Sequence, residues 1–203
     1  MEKRTAILES AMALFPPRGY DGVSMDAIAQ HAGVSKLTVY SHFADKEALF
    51  SAAVTECCAQ MLPHRLFEPD PGLPVREALF LIARAFIDMM MDERALSLHR
   101  VMIGQAGQNL RLTELFFSAG PRAALQEMER FLAQAQAAGA LCVPHPGRAA
   151  EHFFCLLKGV RHMRVLVGLC PVPSPRERDA HVNEVVDIFV RAFAAAPGAE
   201  RPV

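Results

Sequence analysis

The chain has 203 residues, of which 52% are hydrophobic, 21% charged and 7% aromatic. Its 21 Lys and Arg against 22 Asp and Glu give a formal net charge of -1. That length and apolar fraction bury a sizeable core and exclude a disordered chain. No stretch reaches the roughly 18 uncharged apolar residues that a membrane span needs. The opening MEKRTAILES has no apolar segment of the kind a secretory signal carries. A cytoplasmic protein without membrane contact is expected. The cysteines at 57, 58, 142, 155 and 170 lack a paired spacing and are expected to be reduced and mostly buried.

The hydrophobic pattern is helical almost throughout, with no alternating β-branched runs. Ile7, Ala11, Leu14 and Phe15 share one face of a first helix over 3–15. Pro16 and Pro17 are expected to end it, because a residue before proline is pushed out of the α region. Ser24 is a natural N-cap for a second helix over 25–32, with Asp26 in its first turn. Gly33, Val34 and Ser35 break the chain. Ser35 caps a short third helix over 36–42, and Asp45 caps a fourth that runs from Lys46 to about Leu62.

Proline-rich stretches at 63–74 and 170–175 read as connectors. Further amphipathic segments fall at 74–91, 92–104, 110–118, capped by Asn109, and 121–137, stopped by Gly139. Residues 147–169 are apolar nearly all round, and 176–195 form a last helix. A helix apolar on every face must be covered on every face, so a second subunit is its natural cover.

Helix, glycine turn and short helix over about 24–43 form a helix-turn-helix signature. Ala29 is small where two helices cross closely, Gly33 supplies a permissive turn, and Val34 and Val39 plug the angle between them. Such a unit offers its second helix to a DNA major groove. Lys36, Thr38, Tyr40, Ser41 and His42 suit that role. Residues 1–50 nevertheless hold five basic against six acidic residues. Phosphate affinity must then come from where the charges point, with modest salt dependence expected.

The stretch resembles the DNA-binding domain of TetR-family transcription regulators. The likeness rests on Ala11-Met-Ala-Leu-Phe15, Gly19-Tyr20, Ser24-Met-Asp-Ala-Ile-Ala29, Ala32-Gly-Val-Ser35, Thr38-Val-Tyr-Ser-His-Phe43 and Lys46-Glu47-Ala-Leu49. The resemblance implies that Lys36, Leu37, Thr38 and Tyr40 approach bases or phosphates. It implies that Ser24, His42 and Lys46 bind backbone phosphates, and that Tyr20 and Phe43 are packing residues. Phe116-Phe117, Gly120-Pro121, Ala138-Gly139-Ala140-Leu141 and the stretch from Ala149 to Gly159 are similar to the AefR-like branch.

The implied architecture is all-α. It comprises a three-helix helix-turn-helix domain, 1–61, and a helical bundle for ligand sensing and dimerisation, 62–203. The last two long helices of each copy are expected to build a homodimer, through Phe154, Leu157, Val186, Phe189, Val190 and Phe193. The resemblance also implies an effector pocket, for which Phe86, Met90, His99, Met102, Phe116, Phe117 and Phe153 are candidates. Met and Phe at helical spacing also read as ordinary core.

The expected partners are a near-palindromic double-stranded operator, a second copy, and an unidentified small apolar effector that releases a repressor from DNA. The rival reading is a DNA-binding regulator whose C-terminal domain docks a protein partner instead. No catalytic motif stands in the sequence: no nucleophile elbow, phosphate loop, zinc-protease helix or dinucleotide fingerprint. No catalytic residue, metal or cofactor is expected. His152 and Cys155 have a zinc-compatible spacing but lack further ligands. Lys158, Arg161 and Arg164 are expected to pair with Glu151 or Glu184, the alternative being an anionic ligand.

Overall fold

The computed structural model describes residues 3–68, 70 and 72–195. It holds ten α-helices among those residues, and one isolated antiparallel bridge between Leu141 and Ala194. The first four helices are α1 (Lys3–Arg18), α2 (Met25–Ala32), α3 (Lys36–His42) and α4 (Lys46–Met61).

α1 runs through Pro16 and Pro17, three residues beyond the expected end. Proline's own φ is helical, but it removes the N–H that would reach back four residues, crowds that carbonyl and restricts the residue before it. The carbonyls of Met12 and Ala13 therefore lose their helical donors, a net loss of about 1 kcal/mol each. Burying Phe15, which is 1% exposed, returns roughly 1.5–3 kcal/mol, and Ile7, Ala11 and Leu14 add to it. Packing outweighs the missing bonds, and Gly19, at φ 71, closes the helix by donating to Phe15 O at 2.9 Å.

Local capping fixes the next three helices. Ser24 Oγ accepts from Ala27 N at 3.1 Å, Ser35 Oγ from Thr38 N at 3.1 Å, and Asp45 Oδ1 from Ala48 N at 2.7 Å. Between α2 and α3 the turn depends on Gly33, which is left-handed at φ 66. Its N–H bonds Gln30 O, and the Val34 N–H bonds Ala29 O.

A 3-10 turn, His64–Phe67, precedes α5 (Val75–Met90), α6 (Glu93–Gln105), α7 (Leu110–Ala119), α8 (Pro121–Ala137), α9 (Pro146–Leu166) and α10 (Pro175–Ala192). α10 starts on a capping box in which Ser174 and Glu177 satisfy each other's backbone N–H.

The chain forms two compact units, and they divide differently from a single cut after residue 61. The first unit joins the chain up to Met61 with Met90–Ala123; the second joins Leu62–Met89 with the chain from Ala124. α6 and α7 thus pack with the helix-turn-helix, α6 on α1 and α7 on α4. The shared core runs from Ile7 and Phe15 through Phe50 to Leu98, Met102 and Leu112. Two polar contacts reinforce it: Arg111 bonds Glu47 at 3.0 Å, and the Thr55 hydroxyl donates to Ala119 O at 3.4 Å. Gly120 lies against Cys58 and Val54, with only 3.3 Å between a would-be Cβ and the Cys58 sulfur.

In the second unit, Phe86 stacks on Phe154 at 4.2 Å, and Phe153 meets Phe189 edge-on at 4.8 Å. Salt bridges tie α5 to α10. Arg76 binds Asp187 at 2.7 Å, Arg178 binds Asp88 at 2.7 Å, and Arg84 pairs with both Asp88 and Asp179.

This packing corrects the expected dimer surface. Phe154, Leu157, Val186 and Phe189 are buried inside their own chain, so they have no surface left for a partner. Val190 and Phe193 are half-buried. The exposed apolar side chains of this region are others: Leu156, Val160 and Met163 on α9, Val167 and Leu169 just beyond it, and Ile188 on α10. α9 is also broken at Gly159, at φ 49 and ψ −167. Nearby, Leu157 O accepts a 2.9 Å hydrogen bond from His181 Nε2 on α10. A carbonyl only accepts, so Nε2 of His181 carries the proton.

The cysteines are all free, but Cys142 and Cys155 are exposed rather than buried. Burial raises the Cys57 thiol pKa, and raises that of Cys58 to about 12 with Cys57 beside it. Neither is a thiolate at neutral pH, so neither has the reactivity a redox sensor needs.

Candidate nucleic-acid interface

The helix-turn-helix stands on three contacts. Ala29, 4% exposed, lets α2 and α3 approach, Val39 is fully buried beneath α3, and Val34 is half-buried in the turn. With Val39 turned inward, the other side of α3 faces outward. Leu37 is 80% exposed and Tyr40 44%, and Lys36, Ser41 and His42 are exposed beside them. An apolar side chain left so exposed on a seven-residue helix contributes nothing to the fold, and it suits contact with an external apolar group such as a thymine methyl.

Not every predicted contact residue is equally available. Thr38 is half-buried, and its hydroxyl meets Ser35 Oγ at 2.8 Å. The Ser41 hydroxyl donates to Thr38 O at 2.8 Å. Ser24, exposed, uses its Oγ as the α2 cap. Lys46 is half-buried. Its ammonium donates to Tyr20 O at 3.0 Å and Val23 O at 3.1 Å, and lies 4.1 Å from the Tyr20 ring centroid. An ammonium has three donors, and two are used here to hold the 20–23 turn against α4. Tyr20 is a packing residue, as expected, stacked on Phe15 at 5.7 Å and edge-on to Phe50 at 5.4 Å. Burial raises its phenol pKa to about 12, with the Glu47, Asp45 and Asp21 carboxylates adding to the shift.

Two cation placements escaped the sequence reading. Lys36 Nζ sits 2.8 Å from Asp26 Oδ1, joining the start of α3 to the start of α2. The Arg4 guanidinium lies 5.5 Å from the Phe43 ring centroid. Three of the five basic residues in 1–50 are thus engaged within the protein. Their partners are ten or more positions away in other elements, so no local spacing announces them.

The proposed effector residues fall into both units. Met90, His99, Met102, Phe116 and Phe117 belong to the first, and Phe86 and Phe153 to the second. Met102 is part of the first core and Phe116 packs against it, while Phe153 is fully buried in the second unit. Phe86 and Met90 are also buried. His99 Nδ1 bonds Ala95 O at 2.8 Å, and its ring meets Phe116 edge-on at 5.4 Å. Phe117 is an exposed ring with the Arg122 guanidinium 5.5 Å from its centroid, so it is not a buried wall.

Among the described residues no three His, Cys, Asp or Glu side chains gather to hold a metal. No helix among them is long and apolar enough to cross a membrane. Arg161 pairs with Glu177 at 3.9 Å, not with Glu151 or Glu184.

Comparison with known proteins agrees with this architecture. Residues 7–53 match the model of the bacterial regulatory proteins of the tetR family, and residues 77–195 match the AefR-like transcriptional repressor C-terminal domain. The chain is 28% identical over 93 residues to IcaR of Staphylococcus epidermidis, the negative transcriptional regulator of the biofilm operon, covering 46% of this chain and 49% of that protein. It is 35% identical over 86 residues to the HTH-type regulator YhgD of Bacillus subtilis, covering 40% and 45%. The chain spans about half the length of these curated relatives.

Solved structures match along nearly the whole chain. A TetR-family regulator of Mesorhizobium loti superposes with a TM-score of 0.76 at 29% identity, over 94% of this chain and 96% of that one. The flavonoid-responsive regulator FrrA gives 0.72 at 29% identity, over 96% and 98%. A SmeT–triclosan complex gives 0.65 at 25% identity, over 99% and 97%. The matched family and the curated relatives are transcriptional regulators and not enzymes. With its exposed short helix behind a glycine turn and its AefR-like C-terminal domain, the chain belongs to the TetR family of bacterial transcriptional regulators.

Proposed function

We propose that the chain is a homodimeric repressor. It reads a near-palindromic operator with α3 of each copy and leaves DNA when a small apolar ligand binds. The observation that carries the reading is the outward face of α3, where Leu37 and Tyr40 stay exposed while Val39 anchors the helix. In this reading Lys36, Leu37, Thr38 and Tyr40 meet base edges or nearby phosphates. Ser24, His42 and the remaining donor of Lys46 meet the backbone.

Two copies meet through the exposed apolar side chains at α9 and α10, Leu156, Val160, Met163 and Ile188, in place of the buried set expected from sequence. Release is a population shift: the ligand binds better to a form whose two α3 helices do not fit successive major grooves. The SmeT–triclosan complex supports a small apolar effector by analogy with a relative of the same fold.

A titration of labelled duplex, followed by fluorescence anisotropy, tests the reading. Tyr40→Ala should weaken binding to a selected operator by about 10-fold or more, the scale of one lost base contact, and leave the oligomeric state unchanged. Wild-type affinity in that variant refutes the assignment of α3. An apolar ligand that lowers operator affinity supports the effector half. A panel that leaves affinity unchanged, together with capture of a defined protein by the second unit, favours the protein-docking alternative.

A further inference from the structure

Lys36 opens α3 and Asp26 is the second residue of α2, so their ion pair bridges the two helices of the DNA-binding motif. The ammonium faces both carboxylate oxygens, at 2.8 Å from Oδ1 and 3.0 Å from Oδ2. The two side chains are 59% and 61% exposed, so the pair is open to exchange with an arriving anion. The hydrogen bond that Lys36 donates to Asp26, more than any other effect, raises the Lys36 pKa, so the ammonium stays charged throughout. Nothing buried is gained by the pair, and the hinge between the helices already has its own support in Gly33, Ala29 and Val39. A strong packing role for Asp26 is therefore excluded. What the carboxylate does is occupy a cation of α3, the helix on which Leu37 and Tyr40 are exposed.

We propose that Asp26 competes internally with DNA phosphate for Lys36 and so sets how strongly the motif grips any duplex. The inference rests on the reading of α3 as the DNA-facing helix. When a phosphate approaches, Lys36 exchanges one anion for another, and the released carboxylate is left close to a like charge. The net gain from that cation is small, and the counterion release it contributes is partly cancelled. With Arg4 over Phe43 and Lys46 on the Tyr20 and Val23 carbonyls, Lys36 is the cation whose freedom a single carboxylate controls. A weak electrostatic grip suits a regulator that must be displaced by a ligand of modest bias, because less has to be undone.

The test uses the full-length protein and a random-sequence duplex of about three helical turns, titrated across a range of salt concentrations. Asp26→Asn keeps the side-chain shape and removes the charge. It should tighten binding by about threefold to tenfold near 0.1 M salt, and make the slope of log affinity against log salt steeper by about one unit. In the Lys36→Met background the same substitution should bring clearly less tightening and no change of slope. Thermal unfolding of each variant confirms that the motif is intact.

Unchanged or weaker binding by Asp26→Asn overturns the proposal, and means that the carboxylate orients Lys36 for DNA. Equal tightening with and without Lys36 also overturns it, and makes Asp26 a direct repeller of the duplex. If the wild type binds no duplex even at low salt, the reading of α3 fails and takes the proposal with it. The wild-type arm separates that result from the other two.

Discussion

Val160→Asp is expected to leave the fold intact and abolish the dimer. Val160 is 76% exposed, so a polar group there costs the isolated chain little, within about 0.5 kcal/mol. Across a two-fold axis the same change is made twice, and each carboxylate enters an apolar contact without a partner. An uncompensated buried charge costs several kcal/mol, roughly 3–5 where a buried pair is broken. Sedimentation velocity at micromolar concentration should show the variant as a monomer and the wild type as a dimer. Operator affinity should fall by at least about 100-fold, because two linked half-site contacts become two separate ones. A variant that stays dimeric places the interface elsewhere. The internal control is Val186→Asp, at a position expected from sequence to touch the partner but fully buried in its own chain. It should unfold the protein rather than split a dimer.

Phe50→Ala is expected to cost more stability than any surface change. Phe50 is fully buried in α4 and edge-on to both Phe15, at 5.3 Å, and Tyr20, at 5.4 Å. Truncation removes its transfer energy and opens a cavity among rigid rings, about 3–5 kcal/mol in total. Loss of the two aromatic pairs is included in that range, since each contributes only about 0.5–1.5 kcal/mol. Against a total of roughly 5–15 kcal/mol, the change takes a large part of the margin. The melting temperature should drop by on the order of 10 °C. DNA binding should weaken even below that temperature, because α4 packs on α1, and α1 is the bed under α2 and α3. A loss below about 1 kcal/mol in urea unfolding contradicts the packing described for this cluster.

The motif was legible because its signals are local. Ser24, Ser35 and Asp45 cap the helices they precede, Gly33 takes the left-handed turn, and α2 and α3 begin and end where those residues place them. What failed depended on neighbours. Pro16 and Pro17 oppose the helix through their missing N–H groups and through the restricted α region of the residue before each, and the burial of Phe15 and Ile7 outweighs both. The all-round apolarity of 147–169 corresponds to two apolar sides, one buried at Phe154 and Leu157 and one exposed at Leu156 and Val160. Which face belongs to the chain's own core is set by α10 and α5, as with Phe86 stacked on Phe154, and hydrophobicity alone does not distinguish them. Gly159 looked like one more small residue in a long helix, and its break becomes visible only in the backbone.

The compact units differ from a single cut after residue 61 for a similar reason. Nothing in the spacing of Leu98, Met102 or Leu112 says that they pack with Phe15 and Phe50. On α3 the exposure of Lys36, Leu37 and Tyr40 was legible, but the partial burial of Thr38 and the engagement of the cations were not. Lys36, Lys46 and Arg4 each meet a partner that lies far away in sequence.

In the proposed function, two copies of α3 read one operator. Selection of bound duplexes from a pool with a randomised central stretch tests it most directly. The expected result is enrichment of an inverted repeat whose half-site centres lie about 10 base pairs, or a multiple of that, apart. Tyr40→Ala should lose the enrichment. No enriched sequence, or a single unsymmetrical site bound equally well by the Tyr40→Ala variant, contradicts it.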